Sequence, residues 1–310
     1  MTGGYDVDTQ LMRFRKSELL LIAFFVYTAA VAFAIRVPTG MRGFVVTLNL
    51  ALVGWSFLFA WAHPGRGFYW LDRVRDWWPL VALLVALRET SWLSLVRTPG
   101  RPELTLMRWD RWVLIDSGLQ GLLDAGALVV PAMLEVAYLL ALALPAVMVG
   151  LFYITRQRER IDDAWSIVLI AVLSTFAIWP WMPIESPRLV FPGQLLPPET
   201  WPRRIVLALA DYAGGRGGAF PSARVALAFA ISFAMLRLLK ERLAAGLAGV
   251  GLSILVALAA VYGRYHYAAD VAGGIAAACV AGAAGLLLTN TANESRRADR
   301  SFFRRREEMF

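Results

Sequence analysis

The 310-residue chain has two histidines, and one of them sits where it could do chemistry. His266 lies in Gly263-Arg-Tyr-His-Tyr-Ala-Ala-Asp270, between two long apolar segments, and Asp270 comes one helical turn after it. On a helix those two side chains share a face. A carboxylate so placed fixes the imidazole tautomer and stabilises the charged ring while the other nitrogen attacks an electrophile. By spacing alone, an interfacial loop whose His and Asp solvate a helix end accounts for the same residues equally well.

Two upstream turns change that balance. Pro183-Ile-Glu-Ser-Pro-Arg188 follows an apolar run, and its prolines stop the helix and leave Arg188 at the membrane surface. Phe220-Pro-Ser-Ala-Arg-Val225 opens the next run. Pro221 suits a helix's first turn, and the free amides there, with Ser222 and Arg224, form a cradle for an anion. Each turn alone reads as an interfacial anchor or an ordinary helix start. Together with Arg264 they bring three arginines, a hydroxyl, a helix N-terminus and a His–Asp pair. That set suits a phosphate group attacked by histidine.

The elements that must position these turns are membrane helices. The chain is 58% hydrophobic and 17% charged, against about half and about a quarter in soluble domains. Several apolar runs reach the roughly 18 residues that can cross a bilayer. Eight spans are expected, near 18–35, 43–62, 79–97, 129–153, 165–184, 221–239, 245–262 and 271–289. The first follows Arg13, Arg15 and Lys16 and is too long for a cleaved leader, so it reads as a retained helix. In the third, Arg88 and Glu89 pair with each other or with the bundle interior, or else the segment is re-entrant. Glu135 in the fourth is a further buried ionisable group, read first as structural. The loop 98–128, with Trp109-Asp-Arg-Trp112 and Asp116, reads as an amphipathic segment at headgroup depth, either a surface helix or a lid.

Arginines fall mainly in 1–17, 63–78, 154–164, 237–244 and 290–310, which share one face if there are eight spans. Both termini are then cytoplasmic, and the three candidate turns lie on the opposite face. The net charge of +8 follows from this loop bias rather than from nucleic-acid binding. Cys279 stands alone in an apolar run, which excludes an intrachain disulfide, and no cluster has metal-ligand spacing. Three regions are expected: an N-terminal membrane region 1–128, a helical bundle 129–290 carrying the chemistry, and a basic cytoplasmic tail 291–310.

These motifs resemble those of the type 2 phosphatidic acid phosphatases (PAP2). Phe220-Pro-Ser-Ala-Arg-Val-Ala226 is similar to the FPSxHVA form of that family's second motif. Tyr262 to Gly274 resembles its third motif in the inositolphosphotransferase-like branch, and Pro183 to Arg188 resembles the P-x-x-P-P-R first motif of the same branch. The resemblance spans roughly residues 165–290 and implies an all-α PAP2/chloroperoxidase-type bundle working without metal or cofactor. It implies His266 as the nucleophile that becomes phosphohistidine, Asp270 as its orienting carboxylate, and Arg188, Ser222, Arg224 and Arg264 as phosphate ligands. The usual third-motif arginine, six residues before the histidine, is replaced by Ala260, with Arg264 placed to substitute.

Arg224 is the larger departure, because the family has a histidine there to protonate the leaving group. An arginine, with a pKa above about 12, cannot do so near neutrality. His63, expected on the cytoplasmic face, cannot replace it. For a weakly basic leaving group, such as the phosphate released from a lipid diphosphate, turnover survives. For an alkoxide the loss is about 100- to 10,000-fold. The expected activity is a lipid phosphatase or phosphotransferase of a bacterial plasma membrane, acting on a lipid phosphate or diphosphate at the extracytoplasmic face. The alternative is a catalytically degenerate relative that binds anionic lipid or a membrane partner. A transporter is disfavoured, because no paired interrupted helices stand in corresponding halves.

Overall fold

A computed structural model describes residues 12–62, 69–94, 101–126, 128–192, 196–212 and 220–285. His63, the basic tail 291–310 and the end of the last expected span lie outside the described residues. Among the described residues every regular element is helical. The first three helices are α1 (Lys16–Ala34), α2 (Thr39–Trp61) and α3 (Tyr69–Leu93). Two short ones follow, α4 (Arg101–Arg111) and α5 (Leu119–Asp124), joined through a π turn at Trp112–Asp116. Next come α6 (Val129–Leu140), α7 (Leu144–Ile154), α8 (Ile161–Ile178), α9 (Pro187–Val190) and α10 (Trp201–Tyr212). The chain closes with α11 (Ala223–Leu238), α12 (Leu243–Tyr262) and α13 (Ala268–Gly285).

Five of these, α1, α2, α8 with the turn before it, α12 with the turn before it, and α13, are long and apolar enough to cross a membrane. The pair α6–α7 makes a sixth if counted as one broken span. The protein is therefore a multi-pass membrane protein, but the expected count of eight is not confirmed. Helix α3 is too polar, with Asp72, Arg75, Asp76, Arg88 and Glu89 along it, and α11 has only 16 residues. The bend between α6 and α7 is 62°. Pro145 in the first turn of α7 has no N–H to give and crowds the carbonyl four residues back. Leu142 and Ala143 turn instead to carbonyls three residues back, at 3.0 and 2.9 Å.

The packing is set by small residues, as expected where lipid gives helices no hydrophobic reason to associate. Helix α11 lies against α8 on one side and α12 on the other. Ser232 and Ser253 link α11 to α12 through their hydroxyls at 3.0 Å, beside Gly249. One core runs from Leu21 of α1 to Ala281 of α13. In α3, Glu89 points inward and accepts from the Asn49 amide at 2.7 Å, while the Arg88 guanidinium lies over the Trp92 ring.

Long helices run alternately between two ends about 27 Å apart, the length of α8 at 1.5 Å per residue. At one end, Arg15 pairs with Asp72 (2.5 Å) and Asp76 (2.7 Å), and Arg158 with the same two carboxylates. Arg75 binds Glu18 through two nitrogens, at 2.6 and 2.8 Å. The candidate site occupies the other end.

Candidate active site

The site is assembled where α11 and α13 begin and α12 ends. Ser222 is the N-cap of α11; its hydroxyl accepts from the Val225 N–H at 3.5 Å, and the side chain is fully buried. The backbone N–H of Ser222 donates to the Asp270 carbonyl at 2.9 Å, which ties the second turn to the third. That approach needs Gly274, since a Cβ there would come within 2.5 Å of the Ser222 carbonyl oxygen. Arg188 on α9 brings in the first turn: its backbone N–H donates to the Arg264 carbonyl at 3.1 Å. Three turns far apart in sequence are thus joined by backbone hydrogen bonds.

Asp270 has two tasks. Its Oδ2 accepts the Tyr267 N–H at 2.8 Å, closing one half of a capping box at the start of α13. The same oxygen lies 3.5 Å from Nδ1 of His266. One carboxylate oxygen thus faces both the start of α13 and Nδ1 of the His266 ring.

His266 and Arg224 both line a cavity of about 170 Å³. Most of its wall is apolar, including Leu80, Leu83, Leu84 and Leu87 of α3 and Phe176 of α8. The Arg224 guanidinium carbon sits 4.0 Å from the centre of the Tyr138 ring, and Tyr138 is itself part of the wall. Arg224, His266 and Tyr138 thus share one cavity wall, and Arg188 is not among its lining residues.

Arg264 and Ser222 are placed differently. Arg264 is buried, takes a left-handed backbone (φ 62°), and pairs with Asp110 of α4 at 3.3 Å. Its guanidinium is engaged behind the turn, and neither it nor the capping hydroxyl of Ser222 is part of the cavity wall. Asp110 also accepts the Ala268 N–H at 2.7 Å. It is 1% exposed, whereas its neighbours Trp109 and Trp112 face outward. Burial pushes the Asp110 carboxyl up to about 7, against the pull of the Ala268 N–H and Arg264. The loop 98–128 thus contains an amphipathic helix that turns Glu103 and Asp110 inward, and Asp110 clasps the third-motif turn.

A second bracket holds the same turn from the other side. Arg203 of α10 pairs with Glu135 at 2.9 Å and donates to the Gly263 carbonyl at 3.2 Å. Tyr265 donates to the second Glu135 oxygen at 2.7 Å and stacks on Tyr138 at 4.7 Å. Glu135 in the fourth span is thus part of a polar network. Tyr138, Arg203 and the structural use of Asp110 were missed from sequence. The one available signal was Tyr138 three residues after Glu135, on the same face of an otherwise apolar helix.

No curated protein and no solved structure matches the chain. A family model described as the PAP2 superfamily does match, over residues 104–284. That stretch runs from α4 to α13, includes all three turns and leaves out α1–α3. It covers more than half of the sequence, and with the joined turns around His266 it establishes that this chain belongs to the PAP2 superfamily.

Proposed function

We propose that the protein is an integral membrane lipid phosphatase or phosphotransferase that works through a phosphohistidine at His266. Nε2 of His266 attacks the phosphorus of a lipid phosphate or diphosphate, and the phosphoryl group then passes to water or to an alcohol. Asp270 orients the imidazole through Nδ1, and Arg188 and Arg224 neutralise the phosphate oxygens. The observation that carries this reading is one shared cavity: His266, backed by Asp270 at 3.5 Å, opens with Arg224 into a space walled mostly by apolar side chains. A charged headgroup at the polar corner and an acyl or isoprenyl chain along the leucines of α3 fit such a wall. The turn resemblances favour the inositolphosphotransferase-like branch. Loop charge favours cytoplasmic termini, with the site on the extracytoplasmic face of a bacterial plasma membrane.

The degenerate reading draws on Arg224 alone, which stands on an aromatic ring where the family has its proton donor. The two readings part in one assay. Purified protein is given a lipid phosphate and a lipid diphosphate, and released and transferred phosphate are measured beside His266→Ala. The enzyme reading expects release that this substitution abolishes. Equal release from both proteins, with new activity appearing in Arg224→His, would favour the degenerate reading.

A further inference from the structure

Granting that reaction, the chain still needs a proton for the leaving oxygen, and position 224 cannot give one. Among the described residues, the cavity wall that holds His266 has three other polar side chains: Tyr138, Trp179 and Arg224. Trp179 donates its indole N–H to the Pro221 carbonyl at 3.1 Å and is not an acid. Arg224 keeps its proton at any pH the fold survives. Glu135 and Asp110 are buried behind the turn, each with both carboxylate oxygens engaged, and neither is in the wall. Tyr138 is what remains. Its ring is clamped between Tyr265, stacked at 4.7 Å, and the guanidinium of Arg224, so the hydroxyl is held in one place.

We propose that Tyr138 is the catalytic acid of this chain, filling through space the role that the histidine at position 224 fills in its family. The lone pair of His266 Nε2 forms the P–N bond as the P–O bond to the lipid breaks. The departing oxygen takes the Tyr138 proton and leaves as an alcohol. The resulting phenolate is countered by Arg224, whose guanidinium lies 4.0 Å from the ring centre. When water attacks the phosphohistidine, the P–N electrons return to Nε2 and the water's proton goes to the phenolate. Phosphate leaves, and both side chains return to their starting states. In this arrangement Arg224 is no longer a failed acid but the cation that supports one.

The test is Tyr138→Phe, which removes the hydroxyl and keeps the ring and both of its stacking contacts. Full-length protein in detergent is assayed on dodecyl phosphate, whose alkoxide needs a proton, and on p-nitrophenyl phosphate, whose leaving group does not. Expected is a kcat loss of about 100-fold or more on dodecyl phosphate and less than about threefold on p-nitrophenyl phosphate. Adding Arg224→His to Tyr138→Phe should restore dodecyl phosphate turnover by supplying an imidazole donor. An equal loss on both substrates, or no loss on either, overturns the role of Tyr138 while His266-dependent release stands. Absence of any His266-dependent release in the unmodified protein overturns the reaction and this assignment with it.

Discussion

The two ends of the bundle differ in one use of arginine. At the end away from the cavity, cations and carboxylates close on each other: Arg15 and Arg158 share Asp72 and Asp76, Arg75 has Glu18, and Lys16 has Asp163. At the cavity end Arg203 and Arg264 are paired as well, with Glu135 and Asp110, but Arg224 lies on an aromatic ring and lines a cavity with His266. Matched charges join helices; a cation in a cavity wall suits an anionic guest. Helix α3 belongs to both ends. Its Asp72, Arg75 and Asp76 are clamped to α1 and the turn before α8, and one to three turns further on Leu80 to Leu87 form the cavity wall. The packing of the N-terminal helices therefore sets the shape of the apolar part of the site.

If the ends differ in this way, each should break differently. Glu18→Ala strands Arg75 as a buried cation and should cost about 3–5 kcal/mol. Thermal unfolding in detergent reads this loss, and activity per folded molecule should be unchanged. Arg188→Ala should do the reverse: phosphate release falls about 100- to 1000-fold, as for loss of one transition-state donor, with the unfolding temperature unmoved. Equal unfolding of the two variants would erase the contrast between the ends. Gly274→Ala tests the seam at the cavity end, where the added methyl meets the Ser222 carbonyl oxygen. Overpacking there should cost about 1–3 kcal/mol and lower activity as well, because the same contact ties Asp270 to Ser222.

What could be read in the sequence was local. His266 and Asp270 lie one turn apart, so their pairing and the helix start between them follow from spacing, as does the chemical oddity of Arg224. The membrane character follows from run length, though the number of spans does not, since α3 carries Arg75, Asp76 and Glu89 inside the bundle and α11 is short. What escaped was every long-range polar pairing. Asp110 meets Arg264 and Ala268 across more than half the matched region, and Tyr138 meets Arg224 and Tyr265 only because α6 folds against the site. That Arg264 also pairs with Asp110 could not be seen, because the two lie 154 residues apart. A buried carboxylate leaves no periodic trace when it sits on an amphipathic surface helix.

The smallest expected effect concerns that carboxylate and whether α4 is fastened to the third-motif turn by charge or only by shape. The folded Asp110 carboxyl is raised to about 7 from an ordinary value of 3.8, chiefly by loss of water, with Asp270 adding to the rise. A raised acid means that the folded chain holds a proton the unfolded chain has released. Its contribution to stability is full below about pH 4 and is lost as pH climbs through about 7. Asp110→Asn cannot titrate and still offers an acceptor to the Ala268 N–H. The unfolding temperature of the unmodified protein should therefore fall more steeply between about pH 5 and 8 than that of Asp110→Asn. Taking the difference between the two slopes cancels the groups they share. Parallel slopes would mean that Asp110 ionises as it does in water, and that α4 is held on the third-motif turn by packing rather than by this buried carboxylate.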